Sequence, residues 1–193
     1  MALTGAGWEL RVERLGLQRS GDRARTYGRY RLYVDGLATG IDGHVCEAIG
    51  PGDNSKAENG RRIEADTYSL STQFSTYVSI GYSKDTQNAG AAKMPGILLL
   101  GTSKRTGILI HPAHPPKSKL YLSSIGCLNP TDPLGAADVM DYWDSRARVI
   151  QLIDSLREFL PASFAQKRRT AIPGATVVIE GEPDDPWPDG TPG

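Results

Sequence analysis

The chain has 193 residues, and its 22 Lys and Arg are matched by 22 Asp and Glu. A formal charge of zero gives no overall field to draw it to nucleic acid or to an anionic membrane, so neither is expected as a partner. No apolar stretch approaches the roughly 18 residues of a membrane-spanning helix. The N-terminus holds no apolar run behind a basic segment, so a soluble chain without a Sec-type signal or membrane span is expected. The length suits one domain, expected over residues 1–181, followed by an acidic Pro- and Gly-rich tail at 182–193 expected to be disordered. Two cysteines, Cys46 and Cys127, are too few for a disulfide framework and do not match zinc spacing; they leave one disulfide or two thiols open.

Taken in order, Trp8 to Leu15 alternates apolar and charged residues, the pattern of a half-buried strand. A polar hairpin loop at Arg19–Arg23 leads to a second strand, Tyr27–Val34, closed by the turn dipeptide Asp35-Gly36. His44 is expected in a surface turn, and Cys46 in the core of a third strand, Val45–Ile49. Gly50–Arg62 reads as a polar surface loop of the kind that contacts ligands. Strands follow at about Thr67–Ser71, Tyr77–Tyr82, Ile97–Leu100 and Gly107–His111, with a return strand through Leu120–Leu122 to Cys127. One long helix is expected from Asp132 as N-cap to Pro161 as stop, its buried stripe being Val139, Trp143, Ala147, Ile150, Ile153, Leu156 and Leu160. A last strand spans about Ala175–Glu180. The fold class is mainly β, with one amphipathic helix packed on the sheet.

The chemistry concentrates in Gly107–Thr131, which holds two of the three histidines and one of the two cysteines. A thiol attacks a carbonyl carbon usefully only as thiolate, and an imidazole that takes its proton supplies that form. His111 ends one strand and Cys127 follows 16 positions later, so adjacent antiparallel strands would bring both to one sheet edge. Gly126 permits a tight turn before the nucleophile, where the amides of Gly126 and Cys127 can face a developing oxyanion. His114 is the rival base or a substrate contact. Lys104, Arg105, Lys117 and Lys119 are candidates to attract a substrate carboxylate. With no metal cluster or glycine-rich phosphate loop, no cofactor is implied.

His111 followed by Ser124-Ile125-Gly126-Cys127 resembles the active-site motif of the YkuD-type L,D-transpeptidases, and Ile63–Leu70 resembles the strand those enzymes carry upstream. The resemblance covers about Arg62–Thr131. It implies a β-sandwich or barrel in which Cys127 is the nucleophile, His111 the base, the Pro112 carbonyl the group that orients it, and Ser124 and Gly126 the motif residues. Asn129 stands where an arginine would hold substrate, and it and Tyr121 are taken as substrate contacts. The implied activity is acyl transfer on peptidoglycan stem peptides, as L,D-transpeptidase or L,D-carboxypeptidase. Since that substrate lies in the periplasm or cell wall, action there calls for specialised export, as for a type VI secretion effector, whose partner would be an immunity protein, or else for a phage-related origin or an N-terminal segment missing from this sequence. The alternative is a binding or structural module with the same fold and no chemistry, for which the missing arginine speaks.

Overall fold

The computed structural model describes residues 2–83, 93–114 and 121–183, and the architecture is mainly β with a single α-helix. Eight strands form one sheet in the order β8-β7-β4-β10-β1-β2-β3-β9. These are β1 (Trp8–Ser20), β2 (Arg23–Val34), β3 (Leu37–Glu47), β4 (Thr67–Thr72), β7 (Ile97–Leu100), β8 (Leu109–Ile110), β9 (Asn129–Thr131) and β10 (Ala171–Glu180). Two short strands, β5 (Tyr77–Val78) and β6 (Met94–Pro95), pair in parallel beside it. The sheet curls until its two ends almost meet, which makes it a nearly closed barrel.

The alternation seen in the sequence sets the inner face. Trp8, Leu10 and Val12 of β1 are buried with Leu32, Val45, Leu70, Ile97, Ile110 and Leu128 in one core. Pairing of β1 with β2 shifts between Arg14 and Gly16, and a Cβ on Gly28 opposite would lie 2.6 Å from the Glu13 carbonyl oxygen. Only glycine fits beside that bulge. The Asp35-Gly36 turn has positive φ at both residues, 48° and 76°, as the primed hairpin turn requires.

Several boundaries differ from expectation. β3 starts at Leu37 rather than Val45, because Leu37–Gly40 is exposed throughout and carries no alternation to read. His44 lies inside that strand, 8% exposed, with its ring stacked on Tyr27. β5 ends at Val78, since the Ser79 N–H turns back to the Gln73 carbonyl and Gly81 takes a positive φ. The expected return strand is absent over residues 121–127, and its Leu120 lies outside the described residues.

The helix α1 runs Tyr142–Phe159, capped by Asp141, whose carboxylate accepts the Asp144 N–H at 2.8 Å. Asp132, the expected cap, instead pairs with Arg148. The buried face is Tyr142, Ser145, Arg146, Val149, Leu152, Ile153 and Leu156, while Trp143 is 40% exposed and Ala147 is exposed. The expected stripe was rotated because two polar side chains face inward. Ser145 Oγ donates to the Pro130 carbonyl at 2.5 Å and accepts the Ala113 N–H at 2.8 Å, and Arg146 donates to the Ser83 carbonyl. Apolar counting assigns such residues to solvent.

The C-terminal acidic segment does not leave the fold at Glu182. Its carboxylate bonds Arg14 and Arg62, each at 2.8 Å and each with a wholly buried side chain. Residues 184–193 lie outside the described residues. No described helix is long and apolar enough to cross a membrane.

Candidate active site

The barrel closes where the chemistry-bearing stretch lies. Ile110 of β8 and Leu128 form a bridge: the His111 N–H donates to the Leu128 carbonyl at 3.1 Å and the Leu128 N–H to the Leu109 carbonyl at 2.9 Å. The bridge is parallel, not the antiparallel pairing expected, because the chain crosses over between His111 and Cys127 instead of turning back as a hairpin. Ile110 and Leu128 both enter the core. His111 follows the one bridge residue and Cys127 precedes the other, so the bridge brings their two segments side by side.

Both cysteines are free thiols. The Leu109 N–H donates to Cys127 Sγ at 3.3 Å. Burial pushes this thiol up, opposed by the Leu109 N–H and by the positive charge of Arg105. Cys46 is fully buried and pushed up to about 11, which fits the core role expected of it.

The His111 ring is enclosed, 3% exposed, with Nδ1 2.7 Å from the Pro112 carbonyl oxygen. A carbonyl only accepts, so Nδ1 carries the proton and Nε2 is left as the basic nitrogen. Burial holds the imidazole down at about 4; the Pro112 carbonyl raises it and His114 lowers it further. At neutral pH the resting pair is therefore thiol and neutral imidazole.

Asn129 is wholly buried and so makes no contact with a ligand in solvent. Its Nδ2 donates to the His111 carbonyl at 3.0 Å and lies 3.3 and 3.4 Å from the two ring nitrogens. The Asn129 amide therefore lies against both nitrogens of the ring. In this structure the Asn129 amide contacts His111.

Ser124 Oγ donates to the Cys127 carbonyl at 2.9 Å and folds the turn before Cys127. Gly126 has φ 150°, and a Cβ there would come within 1.9 Å of Arg105 Nη2, so no other residue fits unmoved neighbours. Tyr121 is buried, with the guanidiniums of Arg23 and Arg25 at 4.9 and 4.2 Å from its ring centre. His114 is half-buried and its N–H donates to Ser123 Oγ at 3.1 Å. Lys117 and Lys119 lie outside the described residues.

Tyr77 was missed by sequence reasoning, which saw in it only a strand residue. Its ring packs on His111 with centres 4.6 Å apart, and burial beside Cys127 and Tyr142 pushes its hydroxyl up to about 12. The local signal is slight, since Tyr77 reaches the site only through the β5–β6 pairing.

Cys127 opens onto a cleft of about 280 Å³ that Glu58, Lys104, Arg105, Ile125 and Gly126 also line. Ile125 is 63% exposed at its rim. A larger groove of about 360 Å³ crosses the outer face of β1–β3. Its guanidiniums are matched by carboxylates, Arg11 by Glu180, Arg29 by Glu13 and Arg31 by Asp42, and no nucleophile faces it. Of these two, only the smaller cleft is lined by a cysteine. Among the described residues no group of His, Cys, Asp and Glu is arranged to hold a metal ion. Compared with models of known protein families and with curated proteins, the chain matches none.

Proposed function

We propose that this protein is a cysteine acyltransferase of the L,D-transpeptidase or L,D-carboxypeptidase type, acting on peptidoglycan stem peptides. What supports the chemistry is the parallel closure, which brings the segments of His111 and Cys127 side by side, together with the imidazole held in its Nε2-basic tautomer by Pro112. The substrate class rests on the likeness of His111 and Ser124-Ile125-Gly126-Cys127 to the family motif.

In the first half-reaction the Cys127 proton passes to His111 Nε2 as sulfur bonds to the substrate carbonyl carbon, and the carbonyl oxygen gains the negative charge. The Cys127 N–H, which has no acceptor among the described residues, is available to that oxygen. Collapse breaks the C–N bond; the leaving D-amino acid takes the proton from the imidazolium and a thioester remains on Cys127. An amine or water then attacks the thioester, giving up a proton to Nε2, and the thiol leaves protonated by the same nitrogen. Neutral reactants in the buried pair mean that charge appears only as the transition state is reached.

A stem-peptide substrate sets the place of action in the periplasm or cell wall. Within this reading, a role as secreted antibacterial effector would bring an immunity protein as partner. The rival reading, a module that keeps the fold without the chemistry, draws on the burial that raises the thiol and encloses the imidazole. Incubation with muropeptides bearing tetrapeptide stems separates the two. Wild type is expected to remove or exchange the terminal D-alanine and Cys127→Ser to do neither, whereas folded wild type that leaves the stems intact would favour the module.

A further inference from the structure

Arg105 sits beside the nucleophile at 4% exposure. Its Nη1 donates to the Asp53 carbonyl at 3.1 Å and to Asn59 Oδ1 at 2.8 Å, and its Nη2 donates to the Ile125 carbonyl at 2.8 Å. All three acceptors are neutral. The nearby Asp53 carboxylate is taken up by Ser55, through its N–H and Oγ at 2.8 and 2.7 Å. The Arg105 charge also favours the ionised Asp53 carboxylate, but the two form no direct hydrogen bond, and a buried cation bonded only to neutral acceptors is costly, so its presence calls for a use.

Two features of the site point to that use. The missing Cβ of Gly126 would come within 1.9 Å of Nη2, so the turn before the nucleophile is built directly against the guanidinium. The Arg105 charge also favours the ionised form of Cys127. Among the described residues, the charged and titratable groups near the sulfur are Lys104 and Arg105 ahead of β8, Glu58 of the 50–62 loop and Tyr77 of β5, on whose ring His111 packs. Only Arg105 combines burial with direct bonds to the turn.

We propose that Arg105 is a positioning residue for the nucleophile: its forked guanidinium clamps the Ile125–Gly126 turn to the Asp53–Asn59 loop and holds its positive charge beside Cys127. As a statement about acyl transfer this rests on the reading above. As a statement about the thiol it is tested without any substrate.

The test is the pH profile of Cys127 alkylation by iodoacetamide, read by peptide mass mapping with buried Cys46 as internal reference, together with amide hydrogen exchange over Ile125–Leu128. Arg105→Met is expected to raise the alkylation midpoint by about one pH unit or more. Arg105→Lys keeps the charge but loses the fork, so the midpoint stays within about 0.3 unit while exchange across the turn speeds about tenfold or more. A role confined to stability would lower the melting temperature without moving the midpoint. A folded Arg105→Met with the wild-type midpoint, or an Arg105→Lys with wild-type exchange, overturns the proposal. Should the methionine variant not fold, the lysine variant decides by exchange. An Arg105-dependent thiol in a protein that ignores muropeptides would sink the substrate reading alone.

Discussion

Replacing His111 by glutamine removes a titrating group from the core, and the effect on stability follows from its environment. The imidazole is held at about 4 in the folded chain against an ordinary value of 6.5. As pH falls below 6.5 the unfolded chain binds a proton that the folded chain refuses until about 4. The stability this group contributes is thus complete above the unfolded value and is lost progressively over that window. At 1.36 kcal/mol per unit, linkage gives a loss of roughly 2.4 kcal/mol between pH 7 and 4.5. Glutamine stays neutral throughout, so His111→Gln carries a fixed offset from lost packing on Tyr77 but none of this slope. Urea unfolding of both proteins at half-unit steps from pH 7.5 to 4.5 reads the difference directly, and contributions from carboxylates cancel between them. The two stability curves should converge by about 2 kcal/mol as pH falls. Parallel curves would refute the claim that His111 is buried and neutral.

Three other outcomes test the surrounding structure. Leu152→Ala should cost about 2–5 kcal/mol in denaturant unfolding, and Trp143→Ala at most about 1, because only the first faces the core; the reverse order would restore the helix register expected from sequence. Gly126→Ala should cost about 1–3 kcal/mol and abolish iodoacetamide selectivity for Cys127, since the added Cβ meets Arg105; an unaffected variant would contradict the geometry. Glu182 is held below the usual carboxylate range, with Arg62, the Gly52 N–H and Arg14 outweighing the opposing effect of burial. Its contribution is present above 4.5 and lost as pH falls through the lower folded value, so Glu182→Gln should lower the melting temperature at pH 7 and flatten the acid limb seen by calorimetry.

Much of the fold was legible because the strands carry their own signals. Alternation over Trp8–Val12, the Asp35-Gly36 turn and the apolar run Ile97–Leu100 each reflect local rules, and the structure keeps all three. The candidate site was legible as far as His111, Pro112, Ser124, Gly126 and Cys127, which lie within one stretch of chain. What escaped reading depends on distant pairing. Tyr77 reaches His111 through a two-residue strand, and Arg105 becomes buried only once the 50–62 loop folds over it. Asn129 read as a ligand contact because a polar residue two places past a cysteine says nothing of burial, whereas in the fold it backs the histidine. The helix stripe failed for a related reason: Ser145 and Arg146 are polar yet find acceptors inside.

The central claim is that Cys127 forms a covalent acyl intermediate with His111 as its base. Intact-protein mass spectrometry after a brief incubation with tetrapeptide-stem muropeptides and an acid quench reads it directly, with wild type, Cys127→Ser and His111→Gln run side by side. The account predicts a thioester adduct on wild type that maps to the Cys127 peptide and is released by hydroxylamine, with none on either variant. An adduct elsewhere, or one that persists in His111→Gln at the wild-type rate, would contradict it.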